Sequence, residues 1–344
     1  MAENLPTLEE WRRLYEAAMR VKELAPWEWM VEMDLCGVQN PETDELGFVS
    51  VMGQLGEHYA VAVYLGPQGL YRFWAFEDAG PSASDEQFFQ MPHLQASFED
   101  REVVRDKDRE VIHALGLKFR GRQAWPLFRS YRPGFFPWFL EAAEARFLTI
   151  VLEQVLDVAP RFRDDQALLL DPGLDERYMV RVARREGGAP SWEDRVVHVP
   201  PPDPPTIDLV MDVKLLERLK RVTRRVHRIE VDFSMFPTPV QEERAARPQF
   251  AYQLLTVDSQ SGVVLGDELL TADPSLERMW GQVPLHFVRQ LARLDMLPEE
   301  VAVRSESLLR LLQPLGEELQ FTVKRSGRLH SLDAAKKFLL QRFT

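Results

Sequence analysis

Hydrophobic periodicity predicts helices at both ends of the first part of the chain and strands between them. Apolar residues recur at helical spacing over residues 8–24 and 140–158, and Thr7 and Glu10 have the spacing of a capping box. Glycine- and proline-containing turns separate the strand-like runs between these helices. The runs are Met30 to Val38, Gly47 to Met52, His58 to Leu65 and Leu70 to Phe76. They predict an antiparallel meander, whose third strand is apolar on both faces and therefore central.

The pattern changes after Arg228 to strands that alternate with helices. Asp273 and Pro274 are typical of the start of a helix, as N-cap and first helical residue. The order is three strands, helix, strand, helix, strand, helix. The segments are 229–236, 249–258, 263–270, 275–296, 301–304, 306–316, 319–324 and a last helix from Ser331. This order predicts a mixed-sheet α/β domain of the type βββαβαβα.

A proline-rich stretch separates the two patterns. Residues 200–205 contain five prolines in six positions, which favours a stiff polyproline spacer. A chain of 344 residues is also of the right length for two domains, at roughly 100–200 residues each. We therefore predict an α+β domain over residues 1–199, a linker over 200–205 and an α/β domain over 206–344.

The net charge of −12 is unevenly distributed. Residues 1–205 carry 22 Lys and Arg against 35 Asp and Glu, whereas the rest of the chain carries 20 against 19. An acidic first part argues against broad binding to nucleic acid or to an anionic membrane. Because Cys36 is the only cysteine and the sequence shows neither an export signal nor an apolar run of about 18–20 residues, we expect a cytoplasmic protein.

A basic stripe marks the segment from Ile207 to Val226, which has the periodicity of an amphipathic helix. Its cations follow one another at spacings of four, three, four and three residues. They are Lys214, Arg218, Arg221, Arg225 and Arg228. Such a face is suited to phosphates or to an acidic protein surface. It is equally compatible with a contact to the acidic first domain of the same chain, or with a solvated helix surface.

The segment from Trp125 to Phe139 contains seven aromatic residues among fifteen, together with three prolines and a glycine. We call it the aromatic block. The prolines predict an irregular segment rather than a helix or a central strand. One interpretation is core packing, the usual role of large aromatic side chains. The other is a stacking platform for a ring-containing ligand, with Arg129 and Arg132 supplying positive charge.

The order of elements over residues 229–344 resembles the ribonuclease H-like fold of integrases and transposases. That resemblance implies carboxylates on the first strand, after the fourth strand and on the last helix, which together bind two divalent metal ions. Asp232, Glu306 and Asp333 stand nearest to these places, but Arg304 lies beside the second one and would repel a metal ion. The alternation around Asp232 favours a different interpretation, in which Glu230 and Asp232 form a solvated strand face.

No other motif indicates a catalytic or cofactor site. The seven histidines are scattered without a companion at zinc-ligand spacing, and no phosphate-binding loop or activated nucleophile is present. We therefore expect no cofactor and no metal.

Several motifs resemble those of an uncharacterised two-domain bacterial family of unknown function. They are Ala25-Pro-Trp-Glu-Trp29, Gly47 to Gly53, Leu55-Gly56-Glu57, Val63 to Gly66, the aromatic block and Val257 to Gly262. The resemblance supports two domains and implies no activity. We expect a cytosolic, non-catalytic binding protein that uses its basic face. The alternative is a divergent ribonuclease H-like, metal-dependent enzyme that processes nucleic acid, and the two hypotheses differ in whether the protein has catalytic activity.

Overall fold

The computed structural model describes residues 5–169, 176–184, 191–241 and 246–341. The chain divides into two compact units. The first unit comprises Met1–Pro133 and Pro137–Asp203, and the second comprises Gly134–Phe136 and Pro204–Thr344. Each unit contains its own mixed sheet with helices, which confirms the predicted α+β fold class. Among the described helices, none has the length and apolar character needed to cross a membrane.

The first unit is built on a seven-stranded sheet. Its described helices are α1 (Leu8–Leu24), α2 (Gly66–Ala79), α3 (Asp85–Phe89), α4 (Asp106–Ala114) and α5 (Ala142–Asp164). Its strands are β1 (Cys36–Gln39), β2 (Leu46–Met52), β3 (Tyr59–Leu65), β4 (His93–Glu99), β5 (Trp125–Tyr131), β6 (Arg177–Arg184) and β7 (Ser191–His198). The strand order is β5-β4-β3-β2-β1-β6-β7, in which only the neighbours β1 and β6 are parallel.

Strand β3 is covered on both faces, as its continuous apolar sequence predicts. Val61 and Val63 belong to the core beneath α1 and α5, and Ala62 and Tyr64 belong to the core beneath α2. The ring of Tyr64 stacks on Phe73 of α2 with centroids 4.6 Å apart. The sheet is therefore the middle layer of the first unit.

Helix α2 stands where a fourth meander strand was predicted, and that prediction was wrong. Leu70 and Phe73 are buried three residues apart on one helix face, although the run from Leu70 to Phe76 is rich in the aromatic residues that favour strands. Gly69 lets the helix approach the sheet, because a Cβ at this position would lie 2.9 Å from the backbone of Tyr64. Packing against the sheet therefore makes this segment a helix rather than a strand.

The aromatic block is more regular than predicted. Its first seven residues form β5, and Pro126 is tolerated because β5 lies at the edge of the sheet. Its residues 134–136 belong to the second unit, where Gly134 O accepts a hydrogen bond of 2.9 Å from Phe250 N. Gly134 has φ +84°, and a Cβ there would lie 2.3 Å from that of Ala272, so both backbone and space require glycine.

The second unit contains a five-stranded sheet. Its described helices are α6 (Val213–Leu219), α7 (Leu276–Leu294), α8 (Glu306–Leu319) and α9 (His330–Leu340). Its strands are β8 (Arg225–Val240), β9 (Gln249–Asp258), β10 (Val264–Thr271), β11 (Leu297–Val303) and β12 (Thr322–Arg325). The sheet order is β10-β9-β8-β11-β12. The first three strands of the unit pair antiparallel, and β11 and β12 run parallel to β8. The elements from β8 onward follow the predicted order βββαβαβα.

The helix predicted over Ile207 to Val226 is confined to the seven residues of α6, so the prediction of one long basic helix was wrong. Before α6 the chain is extended and crosses α7 at Gly281, whose carbonyl accepts a hydrogen bond of 2.9 Å from Val210 N. After α6 the residues from Arg225 enter the sheet and pair with β11. Pairing with strands distant in sequence overrides the local helical pattern here.

The polar face of β8 is buried, not solvated as predicted. Glu230 and Asp232 are each 5% exposed, and hydrogen bonds join both side chains to α9. On the opposite face, the ring of Phe233 packs edge-on against Trp280 of α7 at 4.8 Å. The alternation was predicted correctly, but the covering helix comes from a part of the chain about a hundred residues away.

Candidate functional site

Four of the basic residues around α6 surround one open depression of about 690 Å³, which we call the basic depression. Lys214 and Arg218 lie on α6, one helical turn apart, and Arg221 and Arg224 lie in the turn that leads into β8. The acidic residues that line it are Glu217 and Asp295. Asp212 begins α6 as N-cap by accepting a hydrogen bond of 3.0 Å from Leu215 N.

Most cations of the basic depression are available to a ligand. Lys214, Arg221 and Arg224 are exposed and make no ion pair with any residue that the structure describes. Arg218 is partly committed, since it donates to Ala292 O at 3.2 Å and lies 3.8 Å from the Asp295 carboxylate.

The neighbouring residue Lys220, the C-cap of α6, is by contrast paired with carboxylates. It pairs with Glu217 at 2.8 Å and also with Glu318. The hydrogen bonds that Lys220 donates to these two carboxylates raise its pKa to about 12. The hydrogen bond from Lys220 likewise lowers the pKa of Glu217. Glu217 is therefore engaged with Lys220, and the other carboxylate that lines the basic depression, Asp295, lies beside Arg218. Lys214, Arg221 and Arg224 are left without an ion-pair partner among the described residues.

Arg225 and Arg228, which were predicted to share the basic face, lie outside the basic depression. Arg225 donates from one nitrogen to three carbonyl oxygens, those of Pro298, Leu319 and Gln320, at 3.3–3.4 Å. Arg228 lies 3.4 Å from Glu300, a carboxylate that also pairs with Lys324 at 2.6 Å. The hydrogen bond from Lys324 lowers the pKa of Glu300. Both arginines thus bind their own sheet and its connections.

A second group of charges lies between β8, the end of β11 and α9. We call it the charge cluster, and it consists of Glu230, Asp232, Arg304, Asp333 and Lys336. Lys336 donates to Asp232 and to Ser234, both at 2.6 Å. Glu230 accepts a hydrogen bond of 2.8 Å from Leu332 N in the first turn of α9, where a carboxylate is favoured.

The other two acids proposed for a metal site also have basic partners. Asp333 accepts a hydrogen bond of 2.6 Å from Arg304. That bond and the nearby carboxylates of Asp232 and Glu230 raise the pKa of the Arg304 guanidinium. Glu306 lies apart on α8, 3.3 Å from Arg310. Within the described ranges, no three His, Cys, Asp or Glu side chains are placed to hold a metal ion together.

The arginines of the aromatic block are bound within the first unit. Arg129 pairs with Asp108 at 2.7 Å, both side chains being under a tenth exposed, and lies over the ring of Phe139 at 4.7 Å. Arg132 pairs with Glu144 at 2.8 Å and with Glu141 at 2.6 Å. This arrangement favours the packing interpretation of the block, since both guanidinium groups are paired with carboxylates of the same unit.

Two domain families account for most of the chain. Residues 11–181 match the family model of a domain of unknown function, DUF7309, and residues 215–340 match that of a second one, DUF6930. The two matches do not overlap, and we call the matched regions the DUF7309 domain and the DUF6930 domain. This agrees with the predicted two-domain family of unknown function. No curated protein and no solved structure matches the chain. The DUF6930 match includes β8 to β12, so the charge cluster and most of the basic depression lie within that domain.

Sequence reasoning missed two residues that matter in the DUF6930 domain and gave a third the wrong surroundings. Arg224, which helical spacing places at the margin of the basic stripe, lines the basic depression because the chain turns before β8. Asp295 comes from the end of α7, far away in sequence. Lys336 had a detectable signal, because it follows Asp333 by three residues on a predicted helix and must therefore share its face.

Proposed function

We propose that this protein is a non-catalytic binding protein whose DUF6930 domain binds an acidic segment of a partner protein in the basic depression. The observation that carries the proposal is the group of three exposed cations, Lys214, Arg221 and Arg224, which line one concave surface without an ion-pair partner among the described residues. Cations converging on a concave surface attract and orient a carboxylate-bearing partner.

The charge cluster supports a binding role over a metal-dependent one. Two-metal catalysis needs converging carboxylates whose oxygens are free to ligate. Here Lys336 and Arg304 already occupy oxygens of Asp232 and Asp333, and an α9 amide occupies Glu230. These cations neutralise the acids within the fold, so the cluster fits a structural role that fastens α9 to the sheet.

An acidic protein segment suits the basic depression better than a nucleic acid does. Nucleic-acid surfaces are strongly basic, because affinity depends on neutralising many phosphates. The basic depression includes Glu217 and Asp295, and the whole chain carries a charge of −12. A short peptide with a few carboxylates needs only the three available cations. A cytoplasmic location is part of the proposal, and the single, buried Cys36 supports it.

The test is a fluorescence-anisotropy titration with a labelled glutamate-rich peptide. The variant Lys214→Glu/Arg221→Glu/Arg224→Glu reverses the available cations. A matched variant, Arg278→Glu/Arg289→Glu/Arg328→Glu, makes the same change in net charge at exposed arginines that do not line the basic depression. Exposed ion pairs are worth about 0.2–1 kcal/mol each, so the loss of three should weaken binding of the first variant by about tenfold.

Equal losses in the two variants would refute the proposal, because they would show attraction to net charge alone. A single-stranded oligonucleotide of equal charge provides the comparison for nucleic acid. Tighter binding of the oligonucleotide than of the peptide, lost in the first variant, would assign the basic depression to nucleic acid instead.

A further inference from the structure

A second depression, of about 480 Å³, lies in the first unit and combines arginines with aromatic rings. The loop before β5 supplies Arg120, Arg122 and the ring of Phe119, and β5 itself begins with Trp125. Arg101 comes from the turn that follows β4. None of these residues takes part in the proposed function of the basic depression.

The loop that presents the arginines is held at Gln123, a non-glycine residue with φ +48°. Its amide N donates to Asp100 Oδ1 at 2.7 Å, and its carbonyl accepts from Lys22 Nζ at 2.5 Å. Its side chain donates to Glu57 O at 3.0 Å. Hydrogen bonds on several sides thus hold this residue in the left-handed conformation. Residues held in this way concentrate at ligand-binding positions.

The three arginine side chains of this depression are available to an anion. Arg101, Arg120 and Arg122 are exposed, and their side chains form no ion pair within the part of the chain that the structure describes. Of the two acids that line the depression, Asp100 is occupied by the amide of Gln123, which leaves Glu102. An anion entering the depression therefore meets several guanidinium groups and one acid that is not otherwise engaged.

The rings offer an apolar surface beside these cations. Trp125 and Phe119 are both partly exposed and meet edge to face, with centroids 5.7 Å apart. Phe119 is supported from behind by Tyr15, on which it stacks at 6.1 Å. A supported, partly exposed ring next to free guanidinium groups matches a ligand that has both a planar ring and a negative charge.

We infer that this depression binds a free nucleotide, with the base against Trp125 and the phosphate held by Arg120 and Arg122. Its volume of about 480 Å³ lies within the range of about 300–1,000 Å³ that small-molecule sites occupy. Arginine suits the phosphate because its planar fork can donate two hydrogen bonds at once.

The test is isothermal titration calorimetry of the full chain with AMP, adenosine and inorganic phosphate as separate probes. We expect AMP to bind at least about tenfold more tightly than either part, because base and phosphate contribute together. Arg120→Gln/Arg122→Gln should weaken AMP binding about tenfold or more and leave adenosine binding unchanged. Trp125→Leu should weaken AMP and adenosine alike. Arg20→Gln/Arg289→Gln removes the same number of charges at exposed arginines outside the depression; it is the matched control and should change nothing.

Three results would overturn the inference. The first is no binding of AMP at millimolar concentration. The second is AMP affinity that is the same in the arginine variant and the control, and this result does not depend on how well the Trp125 variant folds. The third is a single-stranded oligonucleotide that binds more tightly as it lengthens, which would indicate a nucleic-acid surface.

Discussion

Replacing Lys336 with methionine removes the ammonium group that neutralises Asp232 inside the charge cluster. The side chains of Asp232 and Lys336 are 7% and 21% exposed. Removing one partner of a buried ion pair costs about 3–5 kcal/mol, because the other charge is left without compensation. Since Lys336 retains some access to water, we expect the lower end, a loss of about 3 kcal/mol in the free energy of unfolding.

Hydrogen–deuterium exchange of the full chain measures this loss locally. Peptides from β8 and α9 should exchange about a hundredfold faster in Lys336→Met, since 1.4 kcal/mol corresponds to about a factor of ten. Lys337→Met is the matched control, because Lys337 is exposed and forms no ion pair with the described residues; its effect should stay within about 0.5 kcal/mol. The double variant Asp232→Leu/Lys336→Met should recover much of the loss, since both charges are gone. Equal exchange in Lys336→Met and Lys337→Met would refute the structural role of the pair.

Three further predictions concern other parts of the molecule. Burial lowers the pKa of His93 to about 4, so the stability that it contributes is present above about pH 6.5 and lost as the pH falls toward 4. The pH dependence of unfolding should be about 3 kcal/mol flatter over that window in His93→Phe, and an unchanged slope would contradict it. Gly134→Ala should destabilise the second unit by about 2 kcal/mol in urea unfolding, because its φ is +84° and Ala272 fills the space; a neutral effect would count against the packing described. Manganese ions should not raise the thermal midpoint of the second unit, because resident cations hold the acids of the charge cluster; a rise of several degrees would revive the metal-dependent alternative.

Local signals in the sequence predicted the elements whose determinants are local. Thr7 is the N-cap of α1 and forms the expected capping box with Glu10. Thr7 N donates to the Glu10 carboxylate, and Glu10 N donates to the Thr7 hydroxyl. The order of strands and helices after Arg228 was read from changes of periodicity, and β3 was recognised as central from its apolar residues. The ribonuclease H-like assignment itself stays a prediction, because no solved structure matches the chain.

The errors arose where contacts with distant parts of the chain determine the local structure. The aromatic-rich run from Leu70 to Phe76 is compatible with a strand or a helix, and packing against the sheet selects the helix. Arg225 has helical spacing to Arg221, yet its backbone pairs with Leu297 in the neighbouring strand. The burial of Asp232 depends on Lys336, which is 104 residues later in the chain. No local pattern contains that information.

The sequence predicted most of the basic residues of the candidate site, but not the concave surface that they form. The sequence identified a concentration of cations after Thr206, and three of the five named residues, Lys214, Arg218 and Arg221, line the basic depression. The long helix that was expected would have made a flat stripe. The turn before β8 bends the basic segment into a concave surface instead, and concavity favours a defined ligand.

The most direct test of the proposed function is to map where an acidic peptide binds. Two-dimensional NMR of the Lys and Arg side chains, recorded while the glutamate-rich peptide is added to the full chain, reports each cation separately. We predict saturable shifts at Lys214, Arg221 and Arg224 and none at Arg278, Arg289 and Arg328. Shifts spread evenly over both sets, or confined to the second set, would contradict the assignment of the basic depression as the binding surface.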